Sequence, residues 1–179
     1  MEESFKKLLK EIGENPERKE LQGTLGRIEN YLKEFTKGYR MSLDGIVKGA
    51  VFEEKYRDMI IFKDIEFVSL CEHHLLPFFG KCSIGYIPEK KIIGLSKLPE
   101  IVEMYSRRLQ LQERLTNQIA HTIEKALKPN GIGVVMEATH TCMLTKSFSR
   151  QSSNVKTSSM LGSFREKEKT RLEFLRLIE

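Results

Sequence analysis

From residue 111 to residue 127 the apolar residues Leu111, Leu115, Ile119, Ile123 and Leu127 recur at strict four-residue spacing. A helix gathers such residues into one stripe, and the stripe has to be covered by another element. The segments on either side have the other period. In "MIIFKDIEFVSLC", residues 59–71, a strand sets Ile65, Phe67, Ser69 and Cys71 on one face and Val68 and Leu70 on the other. "GKCSIGYIP" aligns Cys82, Ile84 and Tyr86. "GIGVVMEATHTC" gives Ile132, Val134, Met136, Ala138, His140 and Cys142 one parity. "SMLGSF" reads as a fourth strand after the polar, basic loop "TKSFSRQSSNVKTSS", and a charged helix runs from about Glu166. "SKLPEIVEMYSRRL" is a further helix with Ser96 as its N-cap.

Ahead of these lie helical segments. Phe5, Leu8, Leu9 and Ile12 share a face over residues 2–12; Leu25, Ile28, Leu32 and Phe35 do so over 20–37; a short helix follows Ser42. The order predicts an α+β fold: a four-stranded antiparallel sheet with helices on one face over residues 59–179, preceded by an N-terminal helical extension over 1–58.

Composition narrows the function classes. No apolar run approaches the ~20 residues of a membrane span. The first twenty residues are charged and lack the apolar core of a signal peptide. Three widely spaced cysteines do not make a disulfide framework, so a reduced, cytoplasmic setting is expected. The net charge is +5, but the bases are interleaved with acids rather than collected into a patch. Neither nucleic acid nor membrane is therefore expected as a partner.

Chemistry concentrates in two clusters, Cys71-Glu72-His73-His74 and His140-Thr141-Cys142. Cys71 and His74 have a C-x-x-H spacing that wraps two ligands around one ion, and Cys142 can supply a third from a neighbouring strand. Thiolate and imidazole ligands suit zinc. Three of them leave a position for water, the arrangement of a catalytic site. His73 and His140 can then carry protons near neutral pH. Cys82 reads as a core residue and His121 as a surface one.

The stretches "SLCEHHLLPFFGK", "IIGLSKLPEIVEMYSRRLQLQERLTNQIA", "GIGVVMEATHTCM" and "TSSMLGSFRE" resemble the GTP cyclohydrolase I family, with the likeness densest from Val68 to Phe174. The resemblance implies a tunnelling fold assembled into a toroidal homodecamer with sites at subunit interfaces. It implies zinc on Cys71, His74 and Cys142, proton transfer by His73 and His140, and guanine recognition by Gln112 and Glu113. The implied reaction opens the GTP purine ring by hydrolysis, releases formate, rearranges the ribose and recloses to 7,8-dihydroneopterin triphosphate. The alternatives are a diverged member that acts on another purine nucleotide or stops at the ring-opened product, and a noncatalytic zinc-stabilised nucleotide-binding oligomer.

The phosphate end departs from the family pattern. Arg27, Ser96 and Lys97 match expected triphosphate contacts, although Arg27 lies in "TLGR" where the family has Thr-Pro-x-Arg. Glu100 stands where the family has an arginine, and Lys146 replaces another. Either Glu100 points away from the phosphates, or Arg150 or Lys156 compensates for it, or the substrate is not ordinary GTP.

Overall fold

The computed structural model of the chain describes residues 1–144 and 154–179. They form two compact units, Met1–Thr36 and Lys37–Glu179. The first unit contains helices α1 (Glu2–Glu11) and α2 (Thr24–Phe35). Gly13 at φ +86° and Gly23 at φ +79° break the chain between them, in a backbone region glycine enters without a Cβ penalty. Of the apolar face of α1 only Leu9 is buried; Leu8 and Ile12 stay exposed.

The second unit begins with α3 (Leu43–Val47), whose Ser42 cap accepts a hydrogen bond from the Gly45 amide, and strand β1 (Val51–Glu53). Residues 37–58, counted with the extension on sequence grounds, thus contribute to the larger unit. There follow β2 (Ile60–Cys71), β3 (Pro77–Ile87), β4 (Lys91–Ile93), α4 (Lys97–Ser106), β5 (Leu109–Gln110) and α5 (Gln112–Leu127). The chain continues through β6 (Gly131–His140), α6 (Thr141–Leu144), β7 (Asn154–Gly162), α7 (Ser163–Glu166) and α8 (Glu168–Ile178).

The architecture is α+β, with two differences from the expected sheet. The main sheet has five strands in the order β5-β2-β3-β6-β7, not four. The four long strands are antiparallel, and β5 joins parallel to β2 through Leu70–Leu109 and Cys71–Gln110. Two residues are too few for a period of two to show. β7 also begins at Asn154, five residues before the stretch read as strand. Its first half, "NVKTS", alternates in burial but is polar on both faces, so its composition resembles a loop.

The helices are not confined to one face. Cys82, Ile84 and Tyr86 of β3 and Ile132, Val134 and Met136 of β6 form one core with Leu115, Ile119 and Ile123 of α5 and Leu98 and Ile101 of α4. On the opposite face Gly85 and Gly133 are register partners. A Cβ on Gly85 would come within 2.6 Å of the Phe174 ring, and one on Gly133 within 2.7 Å of the Phe164 ring. The paired glycines make a floor for the edge-on Phe164–Phe174 pair, which seats α7 and α8 there. Among the described residues, no helix is long and apolar enough to cross a membrane.

Candidate metal centre and active site

One end of the main sheet collects the reactive residues. Ser69, Phe78 and His140 lie in register across β2, β3 and β6. Beyond Ser69, β2 runs into a tight turn. The Cys71 carbonyl accepts from the amides of His74 (3.3 Å) and Leu75 (2.8 Å), and the Cys71 amide donates to the Leu76 carbonyl (2.9 Å). Leu75 sits at φ +54°, a left-handed conformation that costs a bulky residue about 1–3 kcal/mol. The turn spends that strain on bringing His74 Nδ1 to 3.7 Å from Cys71 Sγ.

The third cysteine arrives differently from the expected route. β6 ends at His140 and the chain turns helical, so Cys142 projects from α6 and shares no strand parity with His140. Thr141 fixes this corner by donating its hydroxyl to the Pro77 carbonyl at 2.6 Å. The ligand atoms of Cys71, His74 and Cys142 all lie within 4.8 Å of one another. Zinc bond lengths near 2.0 Å to nitrogen and 2.3 Å to sulfur set neighbouring ligand atoms roughly 3.5–3.8 Å apart. The soft Cys–Cys–His donor set, its cysteines buried and its histidine exposed, is therefore compatible with zinc after a closure of about 1 Å.

His140 is half-buried. Its ring stacks flat on Phe78, centroids 4.6 Å apart and planes at 3°, and its Nε2 lies 2.8 Å from Gln112 Oε1. Burial holds the His140 pKa below the ordinary range, and the Glu113 carboxylate opposes that shift. His73 is exposed, its ring 6.2 Å from that of His74.

The first turn of α5 carries both expected guanine contacts, and they differ. Glu113 is open to solvent. Gln112 is 1% exposed, and its amide nitrogen donates to Val155 O (2.9 Å), Thr157 Oγ1 (3.1 Å) and Met136 O (3.2 Å). Arg114, not singled out from the sequence, grips the Glu72 carboxylate with both guanidinium nitrogens, Nη2 at 3.0 Å. That hydrogen bonding holds the Glu72 pKa below the usual carboxylate range. Glu72 lies between the candidate ligands Cys71 and His74, so Arg114 anchors their turn to α5. A charged residue between two ligands is the one sequence signal that could have pointed to this pair.

Ser96 occupies the expected N-cap position of α4 but makes no side-chain cap bond, so its hydroxyl is uncommitted to the helix. Lys97 Nζ is 2.7 Å from Glu100 Oε1. Lys156 pairs with Glu137 at 3.1 Å. Arg27 lies in the first unit, where its guanidinium donates to Thr24 Oγ1 at 2.6 Å. Lys146 and Arg150 fall outside the described residues. Cys82 is wholly buried, and burial pushes its thiol pKa up, which fits the core role expected of it. His121 is exposed, as expected, and its Nδ1 bonds to the Asn117 carbonyl one turn back.

Comparison with known proteins agrees with this site. The family described as GTP cyclohydrolase I matches residues 1–179. The chain is 53% identical over 178 residues to the GTP cyclohydrolase 1 of Methylococcus capsulatus, covering 99% of this chain and 96% of that one. It is 51% identical to the human GTP cyclohydrolase 1, covering 98% of this chain and 70% of the other, and 53% identical to that of a Synechococcus species, covering 96% and 75%. With full-length coverage at half identity, and the Cys–His–Cys group at the end of its sheet, the chain belongs to the GTP cyclohydrolase I family.

Proposed function

We propose that this chain is a zinc-dependent GTP cyclohydrolase I that converts GTP to 7,8-dihydroneopterin triphosphate and formate. The observation that carries the reading is the convergence of Cys71, His74 and Cys142 at the sheet end that also holds His140. Cys71, His74 and Cys142 would hold the metal, which supplies Lewis acidity and a water activated near neutral pH. Glu113 accepts two parallel hydrogen bonds from the ring N–H and amino group of guanine, a geometry that suits a carboxylate. His140 takes a proton from the water that adds at C8 and returns it to the ring nitrogen released on opening, and its stacking on Phe78 fixes the plane in which it does so. His73 serves as the second proton carrier from the exposed side. Ser96, Lys97, Arg27 and Lys146 meet the triphosphate.

His73, His74 and Glu113 are all exposed on the single chain, and Leu75 beside them is 51% exposed. Hydrolytic chemistry on a purine calls for a drier site. That exposure supports a site completed by a neighbouring copy; the family resemblance adds that the copies form a tunnelling-fold toroidal homodecamer acting in the cytoplasm. Incubating zinc-loaded protein with GTP should release formate and, after oxidation, a fluorescent pterin of the mass of neopterin triphosphate. Protein with a full complement of zinc that yields neither product would overturn the proposal.

The Lys97–Glu100 pair favours a modified phosphate end. Glu100 already occupies the lysine expected to bind phosphate, and its charge opposes an incoming triphosphate. Relief of that opposition in Glu100→Gln should lower the KM for GTP several-fold at low salt and leave kcat unchanged, an effect that added salt diminishes. An unchanged KM would place Glu100 away from the phosphates.

A further inference from the structure

Gln112 was expected to touch the substrate base, yet every polar atom of its side chain is spent inside the protein. The orientation of its amide follows from its partners. Val155 O and Met136 O are backbone carbonyls and can only accept, so the group facing them is the NH2. The third neighbour, Thr157 Oγ1, also accepts from it, because the Thr157 hydroxyl hydrogen is used elsewhere. Thr116 donates to the Gln112 carbonyl at 2.8 Å, which leaves the Thr116 oxygen to accept from Thr157 at 2.7 Å. With NH2 fixed on that side, Oε1 faces His140 Nε2 at 2.8 Å. An amide oxygen has no hydrogen to give, so Nε2 must carry the proton. In the neutral ring Nδ1 is then unprotonated, and the described residues supply it no hydrogen-bond partner.

We propose that Gln112 is a positioning residue that fixes His140 as its Nε2–H tautomer and so makes Nδ1 the proton-accepting nitrogen of the site. Gln112 acts through His140 and leaves base recognition to Glu113. The network ties four elements to this one nitrogen: α5 through Gln112 and Thr116, β6 through Met136 and His140, and β7 through Val155 and Thr157, with Phe78 of β3 holding the ring plane. With Gln112 buried and both polar atoms of its side chain partnered, a network of this kind gives one geometry and resists alternatives.

The tautomer assignment stands on the hydrogen bonds alone; its kinetic consequence rests on the proposed function. The first measurement needs no variant. Magic-angle-spinning 15N spectra of zinc-loaded, [15N]histidine-labelled protein at alkaline pH, with His140 identified by its loss in His140→Asn, should show a pyrrole-type Nε2 and a pyridine-type Nδ1. The reverse assignment would overturn the proposal, whether or not the protein turns over GTP. The second uses Gln112→Met, which keeps the side-chain length and removes both amide groups. The expected result is a mixture of His140 tautomers, with kcat down at least about tenfold and the KM for GTP within about threefold of the parent. A KM raised about tenfold with kcat and tautomer retained would return Gln112 to the substrate base and end the proposal. If Gln112→Met does not fold, the wild-type spectrum decides.

Discussion

Cys142→Ser is expected to purify nearly free of zinc and to lose at least about 1,000-fold in GTP turnover, the several kcal/mol that a metal centre contributes to a hydrolytic transition state. The substitution is close to isosteric at a site only 8% exposed, so the cost in packing is small. What changes is the ligand: serine stays a neutral alcohol at neutral pH, whereas the thiolate is both soft and anionic. Cys71 and His74 remain 3.7 Å apart in their own turn, but two ligands do not retain the ion. Metal content by atomic absorption, thermal unfolding and formate release measured on the same preparation separate the effects. The variant should fold, lack zinc and be inactive. A variant holding one zinc per chain with parental turnover would remove Cys142 from the ligand set.

The second large effect is expected at His140. His140→Ala should lower kcat by about 100- to 10,000-fold, the usual worth of a positioned general acid–base, while zinc content and GTP affinity stay close to the parent. The substitution also strands Gln112 Oε1 in a site 1% exposed, which costs about 1–3 kcal/mol of stability. Turnover is therefore compared at a temperature where both proteins are folded by circular dichroism. Turnover within a factor of three of the parent would exclude His140 from proton transfer and shift that role to His73.

What the sequence revealed, and what it concealed, follows from the range over which each signal acts. The stripe of α5 and the alternation in β2, β3 and β6 are local patterns eight or more residues long, and each became the element expected. β5 is two residues long, and the first half of β7 is strand only because β6 lies beside it. The second helical layer was written in Gly85 and Gly133, but those glycines become a signal only once the register pairs them. The Cys71, His74 and Cys142 group was legible because few residue types bind zinc. The roles around them were harder. Gln112 owes its part to β6, α5 and β7 meeting at one amide, and Glu72 to an arginine 42 residues away. Cys142 was placed in the right cluster for a mistaken reason, since the strand ends before it.

The centre of the sheet is joined late in synthesis. The β2–β3 hairpin and its Cys71–His74 turn are complete once residue 87 has been made, but β3 pairs with β6 from Phe78–His140 through Ile87–Gly131. At 5–20 residues per second, β6 follows roughly 3–10 s behind. For that interval the nascent chain carries an open strand edge, the kind of template on which chains aggregate. Two members of the Cys–His–Cys group wait in the hairpin, and the third, Cys142, emerges just after β6. The Cys71–His74–Cys142 group is thus complete in the chain before β7, α7 and α8 have been made.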